Sequence, residues 1–292
     1  MSAGAKGAWD GVDDLNPSVI QFQGKLIDYY SGYDGSIWRT GYATSNDEGL
    51  TWDRLAKPVV DLGGWDTQYI AANGSAIVIN SQVYYYFHGK AVDGKQQIGL
   101  ATSNDGKNFK LLPNPVVPAG VQGAWDDLAV ADPFVMQVGS NFWMYYMTVS
   151  HDYKFHMGRA ASSDGLNWVK DKDPLTFRGA QEAFDAGGAG EPSVVYIAPY
   201  FYMFYMGSTT DHRHSIGWAT STNGLTWDKH GLLIPDIQRP SWASAIMGDP
   251  TLMETGRNDG TYYLWFGAGT VANPSQNVYG QIGRMTIKIE QQ

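Results

Sequence analysis

The stretch Gly190-Glu191-Pro192-Ser193-Val194-Val195 is the starting point for interpreting this sequence. It places a carboxylate directly before a proline, at the start of an apolar run typical of a β-strand. The same arrangement occurs at Ala131-Asp132-Pro133-Phe134-Val135 and at Gly248-Asp249-Pro250-Thr251-Leu252. Related segments with an amide in place of the acid are Asn16-Pro17-Ser18-Val19-Ile20 and Asn73-Gly74-Ser75-Ala76-Ile77. The chain therefore repeats one polar position five times.

Composition excludes several classes of function. The 292 residues are 43% hydrophobic and 14% aromatic, which excludes a disordered chain and provides rings for packing or for stacking on a ligand. The net charge is −9 and no Lys/Arg cluster occurs, so we expect no nucleic-acid partner. Without cysteine there is no disulfide, thiolate metal site or Cys nucleophile. No apolar run approaches the ~20 residues of a membrane-spanning helix, and Met1 to Trp9 does not resemble a signal peptide.

A second motif repeats at a regular interval. Gly41-Tyr42-Ala43-Thr44-Ser45 returns in related form in steps of 58, 59, 59 and 66 residues, at Gly99, Gly158, Gly217 and, faintly, Gly283. Such regularity indicates five copies of one supersecondary unit. In the first copy, alternating aromatic and β-branched residues predict four strands, at Ser18 to Gln23, Lys25 to Ser31, Trp38 to Ser45 and Thr51 to Val60.

Four-stranded units repeated radially are typical of a β-propeller. We predict an all-β, five-bladed β-propeller of four-stranded antiparallel blades in a single domain, residues 1–292, with blades at roughly 9–62, 63–120, 121–180, 181–238 and 239–292. The fifth copy is short of residues for a fourth strand. Either that blade has three strands or residues before Trp9 complete it.

The topology of such a blade predicts which connections are structural turns and which face of the propeller carries the functional site. Alternate connections lie on alternate faces, so the turns with Asp or Asn near Gly, such as Ser45 to Trp52, should lie far from the starts of the inner strands and be structural. The five polar residues should meet at the axis on the opposite face. Three acids meeting there repel one another, which favours a functional site over simple capping of strand ends.

An aromatic residue precedes each predicted inner strand, at Trp9, Trp65, Trp125, Phe184 and Trp242. Because these positions are shared by all copies, we interpret them mainly as packing between blades. One or two of the tryptophans, with Trp65 and Trp125 as the candidates, could still lie at the edge of the funnel and contact a ligand.

The repeats, with Asp132-Pro133 opening the third copy and Glu191-Pro192 the fourth, resemble the five-bladed glycoside hydrolases. That group includes arabinanases, α-L-arabinofuranosidases and β-xylosidases, and the fructan-hydrolysing invertases are its relatives. The resemblance spans the chain in architecture but depends on short motifs. It implies that Glu191 is the general acid and that Asp132 orients the substrate and raises the pKa of Glu191. The family's base or nucleophile is an acid on blade one, where this chain has Asn16, which cannot accept a proton.

Three explanations of Asn16 compete. The chain is an inactivated variant, another acid such as Asp14 or Asp249 replaces the missing one, or the protein binds sugar without cleaving it. The leading hypothesis is an inverting glycoside hydrolase that acts on a neutral saccharide containing pentose or fructose. The alternative is a carbohydrate-binding propeller without catalysis, and a sialidase is disfavoured because no arginine cluster is present for a substrate carboxylate.

The loops on the same face as the five polar residues complete the expected site. We expect substrate contacts from Asn73, Asp249, Trp65, Trp125, His88, His151, His212 and Arg213, although an exposed loop is the commoner explanation for the histidines. No cofactor should be required, and a structural calcium ion on the axis is compatible with the oxygen ligands there. We expect a monomer that acts on an oligo- or polysaccharide, has no membrane partner, and is secreted or periplasmic rather than cytoplasmic.

Overall fold

The computed structural model describes residues 1–149, 155–178, 183–272 and 277–290. Its strands follow one another in five antiparallel groups. The first is β1 (Asp13–Phe22), β2 (Lys25–Tyr33), β3 (Trp38–Thr40), β4 (Ala43–Ser45) and β5 (Asp53–Arg54). The second is β6 (Asp66–Ile79), β7 (Gln82–Ala91), β8 (Gln96–Ser103) and β9 (Lys110–Leu111). The third is β10 (Ala129–Val138), β11 (Asn141–Val149), β12 (Phe155–Ser162) and β13 (Val169–Lys170).

The remaining strands complete the series. A short β14 (Thr176–Arg178) precedes the fourth group, which is β15 (Gly188–Ile197), β16 (Tyr200–Ser208), β17 (His214–Ser221) and β18 (Thr226–Leu232). The fifth group is β19 (Ile246–Glu254), β20 (Thr261–Gly269) and β21 (Gln281–Lys288). The helical elements of the described chain are three 3-10 turns, Ala183–Asp185, Asp236–Gln238 and Ser241–Ala243, and none of its helices is long and apolar enough to cross a membrane. The predicted all-β class is confirmed.

Hydrogen bonding joins these groups into three sheets. The first three groups form one 13-stranded sheet through two short parallel contacts, β3 with β6 and β8 with β10. The fourth group with β14 forms a five-stranded sheet, and the fifth group a three-stranded one. β14 falls inside the third predicted blade but pairs with β18 of the fourth group. The blade count and the single-domain division stay predictions.

The repeated glycine is explained by aromatic packing. In each group the aromatic before the inner strand lies against a ring on the second strand, as Trp65 does on Phe87 and Trp125 on Tyr146. The glycine of the third strand lies under this pair, and a Cβ on Gly99 would be 2.6 Å from the Phe87 ring and 2.8 Å from Trp65. Only glycine leaves room for the two rings.

The Asp/Gly turns have a structural role, as predicted. In the first group, Asp47 Oδ1 accepts hydrogen bonds from Ser45 Oγ at 2.8 Å and from the Thr51 amide at 2.8 Å. The hydrogen bonds from Thr51 and Ser45 lower the pKa of Asp47 to about 2. Each of the next three turns packs on the preceding group, where a buried tyrosine hydroxyl donates to the carbonyl of the turn glycine: Tyr29 to Gly106, Tyr86 to Gly165 and Tyr145 to Gly224.

The first residues of the chain complete the fifth group. Ser2 forms an antiparallel bridge with Gln281, and the Ile282 amide donates to the Met1 carbonyl at 2.8 Å. The first and fifth groups also touch near the centre, where Thr251 Oγ donates to the Pro17 carbonyl at 2.6 Å. Both alternatives for the fifth group hold in part, since its sheet has three strands and residues before Trp9 add one bridge to it.

Candidate functional site

The five repeated polar residues share one unusual backbone conformation. Their φ angles lie between 47° and 51°, in the left-handed region that non-glycine residues seldom adopt, at Asn16, Asn73, Asp132, Glu191 and Asp249. At each of them the pairing of the inner strand with its neighbour shifts register, which marks a β-bulge. Four of the five precede a proline, which has no N–H to contribute to the interrupted ladder. Bulges redirect side chains, and all five of these line the same central cavities.

The five side chains lie between two cavities. The wider one, a funnel of about 500 Å³, is lined by all five together with residues from the loops and second strands. The narrower one, about 190 Å³, continues along the inner strands past Pro17, Ser75 and Pro133. A ligand in the funnel would therefore rest on a polar floor of three acids and two amides.

Asp249 is the most highly connected of the three acids. Both of its carboxylate oxygens accept hydrogen bonds from Asn16, one from the side-chain Nδ2 at 2.5 Å and one from the backbone amide at 3.2 Å. Its own backbone amide donates to Glu191 Oε2 at 2.8 Å. The preceding Gly248 permits this approach, because a Cβ there would lie 2.5 Å from Glu191 Oε2.

Burial and charge shift the pKa values of this pair. The pKa of Glu191 is raised well above its usual value, first by burial, then by Asp249 and then by Asp132. Burial also raises the pKa of Asp249 to about 7, against the opposing effect of its hydrogen bond with Glu191. Each of two buried carboxyl groups this close disfavours the ionisation of the other, so the pair resists losing its first proton and still more its second. Sequence reasoning named Asp132 as the residue acting on Glu191, but the stronger neighbouring charge is Asp249.

Asp132 is held by the second strand group. Its side chain is 9% exposed, and Oδ1 accepts a hydrogen bond from Asn73 Nδ2 at 3.1 Å. His88 Nδ1 lies 3.6 Å from the same oxygen, and His88 Nε2 lies 2.6 Å from Gln96 Oε1. The predicted residues Asn73 and His88 therefore both belong to the cavity, but they contact Asp132 and not Glu191.

Several predicted site residues lie elsewhere. Trp65 and Trp125 do not line either cavity, because their rings are taken up in the packing described above. Arg213 does not line the funnel and donates to the Ser244 carbonyl at 2.7 Å. Asp14, an alternative base, is fully buried against Arg54 at 2.7 Å and does not line either cavity. The structure therefore places Trp65, Trp125 and Arg213 outside the lining of the funnel, and Asp14 likewise.

Two further histidines, His212 and His214, line the funnel. His212 lines the funnel with an exposed side chain, as expected of a substrate contact. His214 lines it too, and burial together with His212 and Arg239 lowers its pKa to about 4, so it is neutral at physiological pH. His151 lies outside the described residues.

An apolar wall of the funnel was missed by sequence reasoning. It consists of aromatic, aliphatic and thioether side chains above the acids, at Trp38, Tyr69, Ile70, Met147, Phe155, Met206 and Ile246. Met147 and Met206 stand two residues after Tyr145 and Phe204, in the register that His88 has after Tyr86, so aligning the second strands would have found them. Tyr69 has a φ of 63°, in the left-handed region, and no sequence motif indicated this conformation.

Within the described ranges, no group of three or more His, Asp or Glu side chains has the geometry of a metal site. The amide donors of Asn16 and Asn73 also occupy carboxylate oxygens that an ion would need. The suggested calcium ion on the axis gains no support from these residues and stays a prediction.

Comparison with known sequences gives one distant relative. No protein-family profile matches the chain. Uncharacterized protein MT1551 of Mycobacterium tuberculosis is 22% identical over 233 residues, which are 74% of this chain and 75% of that protein.

Solved structures resemble the chain over almost its whole length. A thermostable family-43 glycoside hydrolase has a TM-score of 0.76 at 16% identity, covering 99% of this chain and 94% of that one. BT0996 in its RGII complex has a TM-score of 0.75 at 18% identity, covering 99% and 91%. At these identities the likeness shows the fold, which this chain shares with glycoside hydrolases.

Proposed function

We propose that this protein is a five-bladed propeller glycoside hydrolase in which Glu191 donates a proton to the glycosidic oxygen. The observation that supports this most directly is the position of Glu191, half-buried at the floor of the funnel beside two other carboxyl groups. A glycosidic oxygen leaves only when it is protonated, so the donor must be neutral near pH 7. The raised pKa of Glu191 meets that requirement.

The second carboxylate is Asp132 in this proposal. In retaining glycosidases the two carboxyl groups are ~5–5.5 Å apart, which leaves room for the anomeric carbon between them. In inverting enzymes they are ~6.5–9.5 Å apart, which leaves room for the anomeric carbon and a water molecule. Asp249 is in hydrogen-bond contact with Glu191 and leaves no such room. Asp132 is the other acid lining the funnel among the described residues. It replaces the blade-one acid of the resembling family, since Asn16 cannot be a base.

The reaction balances with these two groups. The proton of Glu191 passes to the glycosidic oxygen, and the bond from the anomeric carbon to that oxygen breaks with its electron pair on the oxygen. A water molecule forms the new bond to carbon and loses its proton to Asp132, which gives inversion at the anomeric centre. Asp132 then releases its proton to solvent and the Glu191 carboxylate takes one up, which restores both groups for the next cycle.

The substrate class follows from the lining of the funnel. None of the described residues that line it is Lys or Arg, so nothing there would neutralise a substrate carboxylate or phosphate. The apolar wall suits the faces of sugar rings, and the acids and amides suit hydroxyl groups. We therefore propose a neutral oligo- or polysaccharide, with pentose or fructose units as the first to test. The RGII complex of BT0996, a protein of related fold, supports a saccharide as the ligand. A monomer outside the cytoplasm is part of the same proposal.

A carbohydrate-binding protein without catalysis is the second candidate. Two observations favour it. The expected base position holds Asn16 and not an acid, and Asp249 is engaged as a hydrogen-bond acceptor of Asn16. Such a protein would use the same funnel and the same apolar wall.

A variant of Glu191 separates the two candidates. Glu191→Gln should lower kcat on aryl pentosides, fructosides or the matching oligosaccharides by ~10²–10⁴-fold, because an amide cannot donate the proton, while the Kd for the saccharide changes little. Glu254→Gln, an exposed glutamate at the end of β19, is the matched control. Undiminished hydrolysis by the Glu191 variant would refute the acid assignment. Saccharide binding without turnover in the unaltered protein would support the second candidate.

A further inference from the structure

We infer that Asp249 is a positioning residue that keeps the proton of the shared pair on Glu191, and that Asn16 serves to hold Asp249 in this task. The inference rests on the proposed hydrolase function of Glu191. It gives Asn16 a role of its own in place of that of a missing base. In the resembling family, the acid that raises the pKa of the proton donor comes from the third blade. Here the inference assigns that role to Asp249 in the fifth strand group.

The geometry forms a chain of three residues from three neighbouring strand groups. Asn16 in the first group donates to both oxygens of Asp249 in the fifth, and the Asp249 amide donates to Glu191 in the fourth. All three residues stand at the same bulge of their inner strands. No flexible loop takes part, so the distances are set by the sheets.

The hydrogen bonds decide which partner keeps the proton. A carboxylate that accepts two N–H bonds is stabilised in its ionised form. Asp249 accepts two N–H bonds from Asn16, which cannot be lost on titration, whereas Glu191 accepts one, from the Asp249 amide. Asp249 therefore loses its proton at lower pH than Glu191. Its negative charge beside Glu191 then disfavours ionisation of Glu191, in the same direction as burial. Glu191 therefore keeps the proton that it must donate.

Among the described residues, five other titratable groups line the funnel around this pair. They are Asp132, His88, Tyr69, His212 and His214. Asp132 adds to the effect of Asp249 on Glu191, with a smaller contribution. None of these side chains forms a hydrogen bond with Asp249 among the described contacts. Removing the Asp249 charge should therefore lower the pKa of Glu191 more than removing the charge of any other group in the funnel changes it.

The test measures the titration of Glu191 with and without the Asp249 charge. In protein with ¹³C-labelled glutamate side chains, the Glu191 carboxyl signal is identified by its loss in Glu191→Gln and followed from acid to alkaline pH. Asp249→Asn should move its midpoint to lower pH by about one unit or more, because an amide can still occupy the site but carries no charge. Asp259→Asn, on an exposed turn, should leave the midpoint unchanged.

Activity provides a second readout. The basic limb of the pH profile of kcat/KM reports the proton donor of the free enzyme. Asp249→Asn should shift that limb to lower pH by the same amount, whereas a purely structural residue would lower the rate at every pH without moving the limb. Asp249→Ala serves the same measurement if the asparagine variant does not fold.

The two proposals fail in different ways. An unmoved Glu191 midpoint in both Asp249 variants would overturn this inference even if hydrolysis is found. A shifted midpoint without hydrolysis of any saccharide would keep the assignment of the pair and overturn the proposed function.

Discussion

Asn16 shows how one residue can change the chemistry expected of a shared fold. The sequence places it where the resembling hydrolases have an acid, and a missing base is the natural interpretation. The structure shows instead an amide that donates to both oxygens of Asp249. An acid at this position would lose the Nδ2 donor and place a second negative charge against Asp249.

This contact predicts the effect of restoring the acid. Asn16→Asp should not create or increase hydrolysis, and it should lower the free energy of unfolding near neutral pH by about 1–3 kcal/mol, because a hydrogen-bond donor is replaced by a like charge. Urea unfolding and saccharide assays check both effects. Asn258→Asp is the control, since Asn258 has a similar φ of 53° but lies on an exposed turn. Hydrolysis appearing only in the Asn16→Asp variant would show that the first group supplies the base after all.

At the residue scale, the sequence predicted that five polar positions meet at one place, but not which of them are in contact. The five repeated motifs identify Glu191, Asp132, Asp249 and the two asparagines before any coordinates. The contact between Asn16 and Asp249 joins residues 233 positions apart, and depends on how the first and last groups meet. Trp65 and Trp125 were ambiguous because a large aromatic suits both packing and sugar binding.

At the scale of the strand, the repeated glycines should be intolerant of any side chain. Gly99→Ala places a methyl group 2.6 Å from the Phe87 ring and should lower the free energy of unfolding by about 1–3 kcal/mol, because the ring pair must separate. The urea unfolding midpoint measures the loss.

Gly63→Ala is a matched control for this effect. The nearest atom to a Cβ at Gly63 is 3.8 Å away, in ordinary contact, and its φ is not in the left-handed region. Its stability should stay within about 0.5 kcal/mol of the original. Equal losses in the two variants would show that alanine is disfavoured for a reason other than the ring pair.

Strands were predicted better at their centres than at their ends. β2 begins at Lys25, as expected, but β1 extends back to Asp13, five residues before the predicted start, so that the bulge at Asn16 lies inside the strand. A bulge interrupts the alternation on which strand prediction depends. The predicted third strand is divided into β3 and β4 at Gly41 and Tyr42, whereas the equivalent strands β8, β12, β17 and β21 continue through their glycine.

At the scale of the whole molecule, stability should depend on the few residues that join the ends of the chain. Deleting residues 1–6 removes the bridge of Ser2 with Gln281 and the main-chain bond of Met1 with Ile282. The free energy of unfolding should fall by about 2–4 kcal/mol from these bonds and from the lost packing of Met1. Thermal or urea unfolding measures the change, with Lys6→Ala, an exposed residue, as the control. An unchanged midpoint would show that this closure adds nothing to stability.

The same closure determines the order in which the molecule can be completed during synthesis. The first group leaves the ribosome before β19, which carries Asp249, and before β21, with which residues 1 and 2 pair. Until β19 is made, the partner of Asn16 does not exist, and β1 has no fifth group beside it. Contacts between such distant parts of a chain form slowly, and unpaired strand edges favour aggregation. The nascent chain therefore has an open edge at Asn16 while the first four groups are made, and the Glu191–Asp249 pair is assembled only after them.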